Sequence, residues 1–389
     1  MNKVLLFLKD ACKIRYWSIY ILFIFFFIVS FGKGTGAHYS YAPFLVLFSI
    51  IIIFNNYIVG SSYLIKPLLV MLFCALISSW HYLYFISPNY NYIEYISYSI
   101  LPFLVSLVFY KFIHIGSKTG QVVIAMFMLF FCVGIYRYFR SEMMSKMMAF
   151  TQHQNNAFYQ VLMPLPILFL SKHKLLKLIF LLMAILICVL SIKRSAIISI
   201  GVIALLYLYF NINFKQNGIK TMVLVLAFVS AFFSFMDTSE IVKRFDMLLL
   251  RMAEISSDGG SGRTDILSRF FREDIHDIFV PQNFLFGCGF EGVHNKYHNL
   301  AALHNDWAEV FYNYGMVGLI SLAIFMWRLF KVTCESAKIK SDNAFAYSSA
   351  SFIFLLYSLV GGNFVFINTS LPLFAFIGIS EALRNQNKI

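Results

Sequence analysis

His304, Asn305, Asp306 and Trp307 stand in succession in a chain of 389 residues, with Glu309 two positions further on. An imidazole beside two carboxylates is suited to proton abstraction. With an ordinary pKa of about 6.5, a histidine can take the proton from a sugar hydroxyl. Asp306 or Glu309 could orient that base or bind sugar hydroxyls. Trp307, Tyr312 and Tyr314 could stack on sugar faces. The plainer alternatives are a hydrogen-bonded histidine at a membrane interface and an interfacial belt of aromatics.

A second group of residues is suited to holding an anion. Ser191-Ile192-Lys193-Arg194-Ser195-Ala196 lies between two apolar runs. A cation at the bilayer centre costs about 2.5–3.5 kcal/mol on the insertion scale, so it usually faces a cavity or a partner. The planar fork of Arg194 matches phosphate oxygens, and Lys193 adds charge. The alternative is a short loop whose cations reach out to lipid headgroups. Ser261-Gly262-Arg263 follows two further glycines, and such backbone can turn its amides toward an anion. Arg137 and Arg140, three apart, could extend the same basic rim or be a surface pair. His294 and His298 have the spacing of metal ligands on a helix, but the residues around them read as loop and no third ligand is evident. No metal is expected, and His298 stays a weaker substrate-binding candidate.

These residues need elements to position them, and composition says of what kind. The chain is 60% hydrophobic and 13% charged, with a mean hydropathy of +0.75. Soluble domains carry about twice that charge. The expected fold is an all-α polytopic membrane protein, a single integral domain over residues 1–389. Twelve spans are expected: Trp17–Phe31, Tyr41–Val59, Leu64–Trp80, Ile96–His114, Val122–Tyr136, Phe158–Leu170, Leu175–Leu190, Ala196–Phe210, Ile219–Met236, Trp307–Phe330, Phe345–Val360 and Leu371–Ala382. One long polar loop, residues 237–303, separates spans nine and ten. In it a helix capped by Ser239 and a second, with Leu267, Phe270, Phe271, Ile275 and Ile278 on its apolar side, are expected.

The net charge of +13 could suggest nucleic acid. The cations instead sit in short inter-span segments, as positive-inside topology requires, so no nucleic-acid partner is expected. With the N-terminus inside, 18 of the 31 Lys and Arg fall on the cytoplasmic side and six in the short outer loops. Both termini are then cytoplasmic and the long loop faces out. The outward exceptions include Arg137, Arg140, Lys193 and Arg194. The first residues read as a lead-in to span one rather than a cleaved signal. Six scattered cysteines support no disulfide framework.

Together these residues resemble the O-antigen polymerase and O-antigen ligase superfamily. Ser191–Ala196 is similar to its Ser-x-x-Arg-small element, and Ser261–Arg263 to the Gly-Arg element of its large periplasmic loop. His304-Asn305 with Tyr314–Leu319 is similar to its His-Asn and Gly-x-x-Gly-Leu element. Where a Trp often follows the family's Gly-Arg, this chain has Ile266 and Leu267. The resemblance implies a glycosyltransferase of GT-C-like architecture in the bacterial inner membrane, its site facing the periplasm. It implies metal-independent, inverting transfer of glycan from undecaprenyl diphosphate, with no cofactor. Arg194 and Arg263 would hold the diphosphate, and His304 would deprotonate the acceptor. Expected partners are the lipid-linked oligosaccharide, membrane lipid, a chain-length regulator and a flippase. The residues leave three readings open. A polymerase is favoured on the acidic and Tyr-rich surroundings of His304 and on an AT-rich composition. A ligase acting on lipid A-core is the nearest alternative. A transporter of lipid-linked glycan would bind the same diphosphate but need no base.

Overall fold

The computed structural model describes residues 17–32, 37–55, 62–79, 92–115, 119–147, 156–191, 193–211, 246, 263–290, 303–339, 341, 343–364 and 367–386. Every regular element among them is helical. They group into two compact units. The first draws on residues 1–127, 269–329 and 357–389, and the second on 128–268 and 330–356.

The first unit is built on α1 (Trp17–Phe31), α2 (Ala37–Asn55), α3 (Ile65–Ser78), α4 (Tyr92–Ile115) and the C-terminal α14 (Ile367–Gln386). Phe23, Phe26, Phe109 and Phe127 form one aromatic cluster. Their ring centroids lie 5.2–5.9 Å apart, several edge to face, the arrangement the ring quadrupole favours. Helices α4 and α14 cross in close contact because Gly378 has no side chain. A Cβ there would run into the Ser106 carbonyl oxygen and lie 2.8 Å from the Tyr110 nitrogen. The approach lets the Ser106 hydroxyl donate to the Phe374 carbonyl at 3.0 Å. Small residues at a crossing and a hydroxyl across it are how helices associate without a hydrophobic drive between them.

One end of this unit is closed by a charged clasp. The N–H of Tyr63 donates to the buried Glu381 carboxylate at 2.5 Å, and its carbonyl accepts from Arg328 at 2.7 Å. Arg384 pairs with Glu381 at 2.9 Å. The guanidinium carbons of Arg328 and Arg384 lie 4.7 and 5.0 Å from the Tyr63 ring centroid. Arg384 neutralises a carboxylate that burial would otherwise penalise, while Arg328 and Arg384 both lie over the Tyr63 ring.

The second unit holds most of α5 (Thr119–Met147), the single turns α6 (Tyr159–Leu162) and α7 (Leu165–Leu168), and the hairpin α8 (Lys174–Leu190) and α9 (Arg194–Asn211). The Tyr207 hydroxyl donates to the Lys174 carbonyl at 3.3 Å, tying α9 to the start of α8. Phe345 of α13 (Ala344–Val360) packs on Phe169 at 4.3 Å and on Tyr207 at 5.5 Å. Thr333 of α12 (Asp306–Lys338) and Ser351 of α13 share a hydrogen bond of 2.6 Å.

Eleven of the twelve expected apolar segments fall wholly or partly on described helices, and Ile219–Met236 lies outside the described residues. Among the described residues, four helical stretches are long and apolar enough to cross a membrane: Tyr92–Lys111, Thr119–Met143, Arg194–Asn211 and Asp306–Lys338. Large apolar side chains cover their outer faces. Leu129, Leu205, Tyr209 and Trp327 are each at least 60% exposed, a surface suited to lipid rather than water. The described residues are compatible with an all-α polytopic membrane protein. One expected span is not a continuous helix: Pro164 and Pro166 break Phe158–Leu170 into α6 and α7, because proline has no N–H to continue the ladder.

In the long loop, the helix expected after Ser239 lies outside the described residues apart from Asp246. The second begins at Arg263 as α10 (Arg263–Arg269). It widens into a π turn over Phe270–Asp274 and tightens to a 3₁₀ turn over Ile275–Phe279. Phe270 and Ile278 are buried as expected, whereas Phe271 is exposed. The change of helical pitch rotates the expected apolar stripe out of register.

Candidate functional site

The turn that carries His304 is built by its neighbours. Asn305 caps α12: its Oδ1 accepts from the N–H groups of Trp307 at 3.0 Å and Ala308 at 3.1 Å. Those are two of the donors that every helix start leaves without a partner in the ladder. Its side-chain amide donates to the Leu359 carbonyl at 3.3 Å. Asp306 is fully buried, and its two carboxylate oxygens accept from the N–H groups of Asn363 at 2.9 Å and Phe364 at 3.0 Å. Glu309 is also buried and accepts from the N–H of Leu303 at 2.6 Å. Residues 303–309 thus form a closed turn, with Glu309 reaching back to the residue before the histidine.

His304 sits inside that turn at φ 54°, the positive-φ position among the described non-glycine residues. Left-handed backbone costs a side-chain-bearing residue on the order of 1 kcal/mol or more, and it persists where surrounding bonds over-determine it. Leu303 and Asp306 on either side are buried while His304 is half-buried. His304 is thus a partly exposed residue in a turn that buried Leu303 and Asp306 flank.

Asp306 and Glu309 therefore hold the turn in this fold: each carboxylate already takes backbone N–H groups and neither is open to solvent. Tyr312 and Tyr314 are core residues, 0% and 1% exposed, so they offer no stacking face. Trp307 is half-buried, and its indole Nε1 is enclosed with no hydrogen-bond partner.

The cations lie in the second unit. Ser191 shapes the turn between α8 and α9: its hydroxyl donates to the Cys188 carbonyl at 2.7 Å and accepts from the Lys193 N–H at 3.4 Å. The Lys193 ammonium lies 5.9 Å from the Phe158 ring centroid and 5.6 Å from that of Tyr159, a cation–π arrangement. Arg194 is the first residue of α9, half-buried. Two cations at the positive end of an 18-residue helix dipole make a turn that attracts anions. On α5, Arg137 is half-buried and Arg140 exposed, three residues apart and so neighbours on its surface. Arg263 is the first residue of α10.

The structure thus brings His304, Asp306, Trp307 and Glu309 together in the first unit, and Lys193 and Arg194 together in the second. His294, His298, Ser261 and Gly262 lie outside the described residues. No group of three His, Cys, Asp or Glu with metal-binding geometry occurs among the described residues. Sequence reasoning missed the clamp of Asn363 and Phe364 on Asp306. The available signal was a Gly361-Gly362-Asn363 turn after an apolar helix.

Residues 178–323 match the O-antigen ligase family. The match begins in α8 and ends within α12. It includes Lys193, Arg194, Arg263, His298, His304, Asp306, Trp307 and Glu309, and leaves out Arg137 and Arg140. No curated protein matches the chain.

Proposed function

From the O-antigen ligase-family domain that this chain carries, consistent with the O-antigen polymerase and ligase superfamily, we propose a glycosyltransferase. It moves glycan from undecaprenyl diphosphate to a sugar hydroxyl at the periplasmic face of the inner membrane. The observation that carries the reading is His304, held at φ 54° in a turn where the side chains of Asn305, Asp306 and Glu309 are committed to backbone bonds. The acceptor oxygen attacks the anomeric carbon as its proton passes to His304. The bond from that carbon to the diphosphate oxygen breaks, and undecaprenyl diphosphate leaves with the electron pair. Arg194 and Arg263, with Lys193, stabilise the charge that develops on it. Asp306 and Glu309 serve as positioning residues. Arg137, Arg140 and His298 remain candidates for the rim of the donor site, and Trp307 for the acceptor.

Two acceptors fit this chemistry. A polymerase adds the glycan to another lipid-linked repeat unit, and a ligase adds it to lipid A-core. Burial of Asp306, Glu309, Tyr312 and Tyr314 takes away the glycan-reading surface that favoured the polymerase in the sequence. The matched family is described as a ligase. We keep the polymerase as the first reading on composition and the ligase as the second on that match.

The test is transfer by purified protein in lipid vesicles with a synthetic undecaprenyl-diphosphate repeat unit, comparing wild type with His304→Ala. The proposal expects the variant to lose at least about two orders of magnitude in turnover while still binding donor. Wild-type turnover by the variant would remove the base from the mechanism.

A further inference from the structure

Helix α12 is broken at Gly315, where φ is 68° and ψ is −166°. In an unbroken helix the carbonyls of Tyr312 and Asn313 would take the N–H groups of Met316 and Val317. Here they accept from Cys288 at 2.7 Å and Gly289 at 3.1 Å. The segment after α11 (Pro281–Phe286) is therefore laid against the break, backbone to backbone. Glycine makes the approach possible from both sides. A Cβ on Gly287, itself at φ 82°, would run into the backbone of Asn313 and Tyr314. A Cβ on Gly315 would run into the Leu285 carbonyl and lie 2.6 Å from the Gly287 nitrogen.

A second contact pins the same segment. The hydroxyl of fully buried Tyr312 donates to the Asp277 carboxylate at 3.0 Å, and the Tyr312 ring meets Phe270 edge-on at 5.8 Å. The Asn283 amide donates to the Asp277 carbonyl at 2.9 Å, joining the two contacts into one arm. All of these residues belong to the first unit.

The half-helix from Asp306 to Tyr314 carries Asp306 and Glu309, and through them the His304 turn. So short a helix does not hold its own direction and depends on tertiary contacts. Its start is held by the Asn363 and Phe364 N–H groups, its end by the arm. We infer that Tyr312, through its bond to Asp277 and together with Gly287 and Gly315, is a positioning residue for His304. The docked arm over residues 270–290 sets the angle at which the base meets the acceptor. This rests on His304 acting as the base.

The experiment uses the full chain in lipid vesicles with the synthetic donor, measuring kcat, KM for donor and thermal unfolding. Tyr312→Phe removes one hydroxyl, and Asp277→Ala removes its acceptor. Each is expected to lower kcat about tenfold with donor KM within about twofold, since a displacement near 1 Å costs on the order of 100-fold and loss of one hydrogen bond moves the turn by less. Asp277→Asn keeps an acceptor for the tyrosine and is expected to stay near wild type. Gly287→Ala is expected to lose about 100-fold in kcat, and Gly201→Ala, whose Cβ meets nothing within 4 Å, none. If Gly287→Ala does not fold, Tyr312→Phe decides. Wild-type kcat in Tyr312→Phe beside an inactive His304→Ala overturns the positioning role. So does a loss that appears only in KM, or one that vanishes below the variant's unfolding temperature. An active His304→Ala instead overturns the functional reading on which the inference rests.

Discussion

The two units place their candidate residues in different ways. In the first, the His304 turn is tied by backbone N–H groups from Leu303, Asn363 and Phe364 and capped by Asn305, and the histidine sits in backbone that few residues adopt. In the second, the Ser191 hydroxyl shapes the Lys193–Arg194 turn, and Lys193 rests over two aromatic faces. A general base must meet a proton at hydrogen-bond distance and angle, so its backbone is constrained. A cation stabilising a diphosphate acts over a longer range, and a long side chain supplies the final adjustment. The contrast predicts that rigidity matters more at His304 and charge matters more at Arg194.

Substitutions at the two turns separate these demands. His304→Ala should abolish turnover while leaving donor affinity near wild type, whereas Arg194→Ala should weaken both. Donor binding measured beside turnover distinguishes them, and equal loss of affinity in both variants would erase the contrast. Arg194→Lys comes next. It keeps the charge but not the fork, and should recover donor binding only in part, remaining about tenfold below wild type if two oxygens are gripped at once. Full recovery would reduce Arg194 to a point charge.

Stability should report the other side of the comparison. Asp306→Ala leaves the N–H groups of Asn363 and Phe364 without their acceptor, at a cost of roughly 2–4 kcal/mol. Its thermal unfolding temperature should fall clearly below wild type. Asn305→Ala removes one cap and should cost about 1 kcal/mol. Ser191→Ala, at the cation turn, should cost less than either. If Ser191→Ala destabilised the protein as much as Asp306→Ala, the two turns would be equally built.

Much of the architecture was legible because lipid imposes a simple pattern on sequence. The end of the first expected span, Phe31, matches the end of α1, and the expected bounds of the span at Leu175–Leu190 lie within about one position of those of α8. Hydropathy misled at Phe158–Leu170, where the apolar run is continuous but Pro164 and Pro166 interrupt the helix. It was silent at Gly315, because that break is stabilised by Cys288 and Gly289, far off in sequence.

At the site, residue types were legible and their surroundings were not. Asp306 and Glu309 read equally well as sugar ligands or as supports. What separates the two is burial, and for Asp306 also partners 57 and 58 residues away. The strain at His304 left no mark in the sequence, since positive φ is uncommon for any residue with a side chain, histidine included. The cations at 193 and 194 were legible as charge kept within an apolar hairpin.

The most direct test of the central claim is to incubate purified wild-type protein in vesicles with the synthetic donor, alone and then with lipid A-core, and resolve the glycan products by length. Cleavage of the glycan from undecaprenyl diphosphate is predicted in one arm or the other. A ladder from donor alone identifies the polymerase, and a product only with lipid A-core identifies the ligase. Donor that crosses the bilayer with its glycosyl–diphosphate bond intact in both arms would contradict glycosyl transfer and identify a transporter.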